Sequence, residues 1–476
     1  MEIIPQDYQE LLQKFIIDNF SEIIKQNITR SDSKNRVFNY IELLDILDEK
    51  LCIAARNSLK AIFETIDRSF KNSPERRHGY HIKSTQERTI LTVFGEITIS
   101  RTFYKHKKTF KSFCYLDRYL GLAKYDYFDP YIKALVIEKV ADNSYNKTAL
   151  EINSLIEKKV KLDAPTIYIS RQTVYNIVKK ALISIPEIIP KVTPSTIYII
   201  ADEKFVHTQH NNNQDAMVKS IVIFDGRSIS KNRTKLLNKQ IFSSRGSTCL
   251  DNALDYLYGT YNLDEIKRII VMGDGALWIK NLKWHFKLDK HIKVIYALDQ
   301  FHFKQAIHHI TNDPLLGKIL TSYVKKGNIH DFNTCLEQLT LDNPHREHIL
   351  LEKQSYIINN QDPIKNLFSL KLKCPMEAQI SHNIAALFTS RPKAYSLKML
   401  DKLLNIRMLF KNNYNLKRLY LHNYNKPEVI TYDKQELNFN IFDDYPRYSN
   451  IQSLIPDYAY PIPLDLDYYY LIHNSN

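Results

Sequence analysis

The sequence has 476 residues, of which 44% are hydrophobic and 25% are charged. This length exceeds what one hydrophobic core supports, so we expect two to four domains, and the composition excludes a disordered or fibrous protein. Lys and Arg number 66 against 52 Asp and Glu, a net charge of +14 that favours a polyanionic partner such as nucleic acid. A basic drift in the composition of an AT-rich genome is the alternative explanation.

Two classes of protein are excluded by what the sequence lacks. No run approaches the roughly 20 apolar residues that span a bilayer, and the start, MEIIPQDYQELLQKF, does not have the layout of a signal peptide. We therefore expect a cytoplasmic, nucleoid-associated protein without a membrane partner. The cysteines are odd in number and lack ligand spacing, which indicates neither a disulfide scaffold nor a zinc site. They are Cys52, Cys114, Cys249, Cys335 and Cys374.

The first third of the chain is predicted to be helical, with one hairpin. Apolar residues recur at three- and four-residue spacing through residues 1–72, which is typical of helices. A basic, turn-forming stretch, SPERRHGYHIKS, then leads into two β-prone runs that flank Gly95 and predict a hairpin. Helical periodicity returns in SYNKTALEINSLIEKK and, after Pro165, in SRQTVYNIVKKAL, for which Ser170 is a suitable N-cap.

These two helices resemble a helix-turn-helix. In the second, the outward side chains suit the reading of base edges, so we predict DNA contacts from Arg171, Gln172 and Lys179. Tyr175 is expected to face outward with them. The inward residues are Val174, Ile177 and Val178. The connection is longer than the usual turn, and a plain helical hairpin is the alternative.

The pattern changes after the proline-rich segment IPEIIPKVTPS, which we interpret as a linker. Four short β-branched runs, STIYIIAD, VKSIVIFDG, KRIIVMGDG and KVIYALD, predict strands covered on both faces, and so an α/β core. The basic run at 227–239 is either a phosphate-binding segment or a solvated face. Strand signals vanish from 303 to 372, which predicts a helical insertion, and helices resume at 376–390 and 396–411.

Carboxylates mark the ends of two of these strands. Asp202 ends the first, and because strand side chains alternate, Glu203 must face the other way. Asp274 ends another strand between two glycines that permit close backbone approach. Glu377 begins the helix MEAQISHNIAALFTS at the edge of its apolar stripe. Three converging carboxylates need a cation, and hard oxygen ligands suit Mg²⁺ or Mn²⁺, the ions of phosphoryl transfer. A helix N-cap, another ligand site or a solvated glutamate is the alternative for each acid.

An ordered set of motifs resembles the Lre-type insertion-sequence transposases of bacteria, long catalogued as an uncharacterised protein family. The matching stretches run in family order across roughly residues 88–400. They are TVFGEITISRTFY, YLDRYLGL, the pair Ser144–Tyr145, ISRQTVYNIV, ADEKFVHTQ, GDGALWIK, LDQFH and MEAQISHNIAALFTSRPKAYS. The chain departs from the family at Tyr395, where a tryptophan is favoured, although tyrosine keeps an aromatic face for stacking.

The resemblance implies a DDE transposase with an RNase H-like core and a helical insertion before the last acid. It implies Asp202, Asp274 and Glu377 as the catalytic, metal-binding acids. The family's short motif after the second acid matches Asp299 to His302, which implies that His302 contacts the scissile phosphate or the departing strand. The alternative is a histidine that caps the following helix or is buried and hydrogen-bonded.

We therefore predict a transposase that cleaves one strand at each element end and joins the freed 3′-hydroxyl to target DNA. Its partners would be terminal repeats and target DNA, bound by a homo-dimer or larger assembly. A catalytically silent DNA-binding protein and an RNase H-like nuclease are the alternatives. The expected regions are a helical N-terminal region at 1–85, a β-hairpin segment at 86–142, a helix-turn-helix-like module at 143–190, an α/β RNase H-like core at 195–302 and 373–412, the insertion at 303–372 and a Tyr/Pro-rich tail at 413–476.

Overall fold

The computed structural model describes most of the chain between residues 40 and 424. The described residues are 21, 40–159, 167–184, 186–209, 215–230, 233–370, 384–389 and 394–424. Two compact units divide the chain. The first consists of Met1–Ile132, Asn153–Tyr168 and Tyr424–Asn476, and the second of Lys133–Ile152 and Ile169–Asn423.

The first unit contains a three-stranded antiparallel sheet. Its elements are α1 (Tyr40–Asn72), α2 (Pro74–Gly79), β1 (Tyr80–Thr92), β2 (Gly95–His106), β3 (Ser112–Cys114) and α3 (Tyr115–Tyr119). The predicted hairpin is confirmed: β1 pairs with β2 around Gly95, whose φ of 104° few other residues tolerate. The strand begins at Tyr80, inside the stretch interpreted as turn-forming, because the turn signals there belong to α2 and its N-cap Ser73.

One face of this sheet packs against α1. Ile90, Ile97 and Ile99 are buried on it, and apolar side chains of α1 such as Phe63 and Ile66 pack against them. The alternation of buried and exposed residues along β2 follows from having one covered face.

The second unit is built on a five-stranded mixed sheet. Its strands are β4 (Thr196–Val206), β5 (Ala216–Phe224), β8 (Gln240–Ser244), β9 (Arg268–Gly273) and β10 (Lys293–Leu298), arranged β10-β9-β4-β5-β8. The pairs β4–β5 and β5–β8 are antiparallel, whereas β9 runs parallel to both β4 and β10. A two-stranded ribbon, β6 (Gly226–Ser230) and β7 (Arg233–Leu237), intervenes before β8. The four predicted strands and the α/β class are thus confirmed.

Between residues 130 and 424, the described part of the chain also contains α-helices. They are α4 (Pro130–Val140), α5 (Tyr145–Lys159), α6 (Arg171–Lys180), α7 (Thr248–Thr260), α8 (Leu277–His285), α9 (Gln300–Ile310), α10 (Pro314–Lys326), α11 (Ile329–Asp342), α12 (Glu347–Ile358), α13 (Gln361–Ser369), α14 (Leu397–Lys411) and α15 (Leu416–Tyr424). A short helical turn covers Ala386–Phe388. The proline-rich segment contains neither helix nor strand at residues 186–195, and it lies within the second unit.

The main core of the second unit lies between the sheet and helices α7 and α8. Ile199 of β4 and Val271 of β9 are fully buried there, together with Leu257 of α7 and Ile279 of α8. Burial of such β-branched strands explains why their sequence is almost continuously apolar.

The helical pattern predicted over residues 303–372 is confirmed through residue 370. Five helices, α9 to α13, follow β10, and α13 lies along that strand, where Asn366 Nδ2 donates to the Tyr296 carbonyl at 2.8 Å. Across the described part of the chain, none of the helices combines the length and apolar character required to cross a membrane.

Candidate functional site

Asp202 does not end its strand as predicted, because antiparallel pairing with β5 continues β4 to Val206. Its side chain lies within β4 and is 9% exposed. Its Oδ1 accepts a 2.7 Å hydrogen bond from the Glu203 amide. The next side chain faces away, as predicted: Glu203 Oε2 accepts a 2.5 Å hydrogen bond from Trp278 Nε1. The ammonium of Lys219 lies 5.1 Å from the same Trp278 ring. Strand alternation therefore separates a buried aspartate from a structural glutamate.

Asp274 comes directly after β9, next to Asp202. Ile200 pairs with Met272 in the parallel register, so each aspartate lies two residues beyond that pair on a neighbouring strand. Neighbouring strands are about 4.8 Å apart. Asp274 Oδ1 accepts from the Ala276 amide at 2.9 Å, which fixes the turn after the strand. The two predicted acids therefore lie side by side, just beyond the point where the parallel pairing of β4 and β9 ends.

The glycines on either side of Asp274 are each required, but for different structural reasons. A Cβ at Gly273 would lie 2.5 Å from Ile279 Cγ2 and 3.0 Å from the Ala201 carbonyl, so only glycine lets helix and strand approach this closely. Gly275 has a φ of 102°, which side chains rarely adopt. The close backbone approach expected from the sequence is confirmed.

Asp299 and His302 lie at the same end of the parallel strands, directly after β10. The Asp299 amide donates to the Gly273 carbonyl at 2.7 Å, and its Oδ1 accepts from Phe301 as the N-cap of α9. The other oxygen, Oδ2, lies 2.9 Å from His302 Nδ1. That hydrogen bond raises the pKa of His302, and the charges of Asp202 and Asp274 raise it further. His302 is therefore hydrogen-bonded beside both acids, while the helix cap is Asp299.

The helical insertion contacts the Asp274 turn directly, which the sequence did not predict. Tyr356 of α12 donates its hydroxyl to the Asp274 carbonyl at 2.6 Å. Burial, together with the charges of Asp274 and Asp299, raises the pKa of Tyr356. Asn360 is 2% exposed, and its Oδ1 would lie 3.1 Å from a Cβ at Gly275. No local pattern signals this contact, since 82 residues separate Tyr356 from Asp274.

The third predicted acid, Glu377, lies outside the described residues, as does most of the stretch predicted to form its helix. Within the described ranges, no group of three or more His, Cys, Asp or Glu side chains is arranged to hold a metal ion. Asp202 and Asp274 supply the hard carboxylate oxygens that Mg²⁺ and Mn²⁺ prefer. This pair therefore fits a divalent cation in donor chemistry.

The predicted DNA-reading helix is α6. Ser170 caps it by accepting from the Thr173 amide at 3.1 Å, and the three residues expected to face inward are buried. Arg171, Gln172 and Lys179 are exposed, as expected. Tyr175 is instead half-buried, because its ring meets Tyr145 edge-on at 6.1 Å. The connection from α5 includes residues 160–166, which lie outside the described ranges.

The end of α6 is held by α14. Lys402 donates to the carbonyls of Val178, Lys179 and Ala181 at 3.4, 2.5 and 2.9 Å. Burial and the charge of Lys398 lower the pKa of Lys402. A cation at a helix C-terminus satisfies carbonyls that the helix itself leaves without donors.

Two other candidate DNA contacts are partly used in packing. The described residues of the basic run at 227–239 belong to β6, β7 and the approach to β8. Among them, Arg227 lies over the rings of Tyr198 and Phe224, at 5.6 and 5.5 Å. Tyr395 packs edge-on against Phe388 at 5.5 Å, and burial raises its pKa to about 12. Its ring is half-buried, so only part of an aromatic face is exposed.

Comparison with known proteins shows the family of the chain. The uncharacterised protein family UPF0236 matches residues 33–420. A UPF0236 protein of Caldanaerobacter subterraneus subsp. tengcongensis, whose name joins four gene loci, is 25% identical over 417 residues, covering 83% of this chain and 85% of the relative. Another from the same organism, whose name joins eleven loci, is 26% identical over 419 residues, with 83% and 85% covered.

Proposed function

The chain belongs to the uncharacterised protein family UPF0236, and we propose that it is a DDE transposase of a bacterial insertion sequence. The proposal depends above all on Asp202 and Asp274, which lie side by side in and directly after the neighbouring parallel strands β4 and β9. Paired carboxylates in that position suit metal-dependent cleavage and joining of phosphodiesters.

The sheet supports an RNase H-like core. In chain order the strands β4, β5, β8, β9 and β10 are arranged 3-2-1-4-5, with the first three antiparallel and the last two parallel to the first. This is the order expected of an RNase H-like sheet. The helical insertion after β10 agrees with the transposase subgroup that the sequence motifs resemble.

Asp202 and Asp274 would hold Mg²⁺, or Mn²⁺ in its place, with Glu377 as the third ligand that the resemblance implies. Bound there, the ion supplies Lewis-acid activation of the attacking and leaving oxygens. The turn amide of Ala276 and the hydroxyl of Tyr356 fix the position of Asp274. His302, kept protonated to higher pH by Asp299, would donate to a phosphate oxygen or the departing strand.

The multiplicity of the relatives also supports a mobile element. A single protein name that joins eleven loci of one genome, and another that joins four, indicate genes present in many copies. A gene that moves by DNA transposition accumulates copies in this way. The net charge of +14 agrees with a DNA partner, and the need to hold two element ends suggests a dimer or larger assembly at the nucleoid.

An assay with the full chain separates the three functional alternatives. Linear DNA that carries the sequences flanking the gene is incubated with protein and Mg²⁺, and we expect complex formation, strand cleavage and joined products. Binding without cleavage in either Mg²⁺ or Mn²⁺ would indicate a catalytically silent DNA-binding protein. Cleavage without any joined product would indicate a nuclease. Absence of binding would contradict all three.

A further inference from the structure

Positive charge is concentrated in two segments of the first unit that lie outside both α6 and the carboxylate site. Residues 76–83 and 105–111 contain seven Lys or Arg and three His, but no Asp or Glu. We call these two segments the basic surface. Its basic residues are Arg76, Arg77, His78, His81, Lys83, Lys105, His106, Lys107, Lys108 and Lys111.

The fold brings the two segments side by side. His81 pairs with Lys105 across the β1–β2 ladder. Lys105 in turn pairs with Ser112 of β3, whose hydroxyl accepts a 3.5 Å hydrogen bond from Lys83 Nζ. Lys83, Lys105 and Lys111 therefore gather around Ser112, although 28 residues of sequence separate the first from the last.

A second set of contacts joins the loop after β2 to helix α2. The Lys107 amide donates to the Gly79 carbonyl at 2.9 Å, and Lys107 Nζ donates to the Arg77 carbonyl at 2.6 Å. Within the loop, His106 Nδ1 accepts from the Lys108 amide at 3.1 Å. The loop is thus fixed by hydrogen bonds, and its lysines are presented by a defined backbone.

Four cations of this surface are exposed and lie away from carboxylates. Arg77, Lys83, Lys105 and Lys111 are exposed, and across the described ranges none of them has a carboxylate within ion-pairing distance. Arg88, deeper in the same sheet, forms a 2.9 Å ion pair with Asp117. Arg88 is therefore neutralised by a carboxylate, whereas Arg77, Lys83, Lys105 and Lys111 repel one another at a cost that an anionic ligand would remove.

We propose that the basic surface binds the phosphate backbone of double-stranded DNA, as a contact separate from α6 and from the carboxylate site. Lysines act as point charges without the fork geometry of arginine, so an array of them suits a repeating phosphate chain better than a single carboxylate. The contact adds affinity without reading sequence. It rests on the proposed function only in taking DNA as the ligand.

The test replaces Lys83, Lys105 and Lys111 together by Gln and measures DNA affinity at several salt concentrations. Each lost phosphate contact reduces the magnitude of the negative slope of log K against log salt by about 0.9, so we expect the slope to become shallower by about 2.7. We also expect at least a tenfold weaker complex near 0.1 M salt. The control replaces Lys287, Lys290 and Lys293 of the second unit together by Gln. These exposed lysines lie around the start of β10, whereas Asp299 follows the other end of that strand. The control removes the same net charge, and we expect its slope to stay within about 0.5 of the wild type.

Equal loss in both triple variants would show that net charge alone matters and would overturn the proposal. So would an unchanged slope in the Lys83, Lys105 and Lys111 variant while circular dichroism is native. The single variant Lys111→Gln, with an expected slope change of about 0.9, gives the same answer if the triple variant does not fold. If wild-type protein binds and cleaves DNA but the triple variant behaves like the control, the inference fails and the proposed function stands.

Discussion

Gly275 is the position where the backbone next to Asp274 is most restricted. Its φ is 102°, and a Cβ there would lie 3.1 Å from Asn360 Oδ1. We predict that Gly275→Ala lowers the free energy of unfolding by about 1–3 kcal/mol, because a side chain is strained in this conformation. Urea denaturation measures the change. Gly246→Ala is the control, since nothing lies within 4 Å of a Cβ there; equal losses in the two variants would contradict the prediction.

His302 and Asp299 form a pair whose contribution depends on pH. Their hydrogen bond raises the pKa of His302 in the folded protein. Stability from a raised histidine pKa is fully present below the unfolded value of about 6.5 and is lost as pH rises through the folded value. We predict that His302→Gln loses more unfolding free energy at pH 5.5 than at pH 9. Thermal denaturation of the metal-free protein at both pH values measures this, and a loss that does not change with pH would contradict it.

For individual residues, the sequence predicted the features that follow from the geometry of a strand. Alternation along β4 correctly separated Asp202 from Glu203, and the glycines correctly indicated close approach around Asp274. The partner of Glu203 and the hydroxyl on Asp274 were not predictable, because Trp278 and Tyr356 are far away in sequence. Tyr175 was expected to face outward because its contact with Tyr145 on α5 does not follow from the periodicity of α6.

Among the elements, α12 of the insertion has the most direct connection to the candidate site. If Tyr356 positions Asp274, Tyr356→Phe should raise the Mg²⁺ concentration needed for half-maximal cleavage by about 10- to 100-fold, the usual cost of losing such a supporting hydrogen bond. DNA affinity and the unfolding midpoint should change little. Tyr323→Phe, in α10 of the same insertion, is the matched control. A proportional loss of stability and activity, with an unchanged Mg²⁺ requirement, would reduce Tyr356 to a packing role.

Helix α6 depends on its support from α14. Lys402→Ala removes the donor that three carbonyls at the end of α6 share. We predict a loss of about 1–2 kcal/mol in unfolding free energy and a several-fold weaker DNA complex, since α6 is the proposed reader. Lys398→Ala, an exposed lysine one turn earlier on α14, should leave both nearly unchanged. Loss of stability without loss of affinity would count against α6 as a DNA contact.

Strands were predicted correctly from the sequence where both of their faces are buried. The four strands that form the centre and one edge of the sheet were predicted, because they are covered by helices and therefore β-branched and apolar. The ribbon β6–β7 and edge strand β8 were not recognised, since they are short and lie in or beside a run of basic and polar residues. Edge strands need no continuous apolar pattern.

For the whole molecule, two compact units carry different candidate contacts. The first presents the basic surface on a small antiparallel sheet, and the second contains the carboxylates and α6. Length predicted more than one domain, in agreement with the two compact units, whereas the DNA partner that the charge favours stays a prediction. Length and net charge did not locate the charge, because clustering around Ser112 depends on the strand register and not on the number of lysines.

The pair of acids is tested most directly by single-turnover cleavage of DNA with Mg²⁺, comparing wild type with Asp202→Asn and Asp274→Asn. We predict that each variant cleaves at least about 100-fold more slowly than wild type, since each removes a charged metal ligand. Both should bind DNA with unchanged affinity. Asp255→Asn, on the exposed side of α7, should cleave at the wild-type rate. Cleavage by Asp202→Asn or Asp274→Asn at the rate of the Asp255→Asn control would contradict a transposase that uses these two carboxylates.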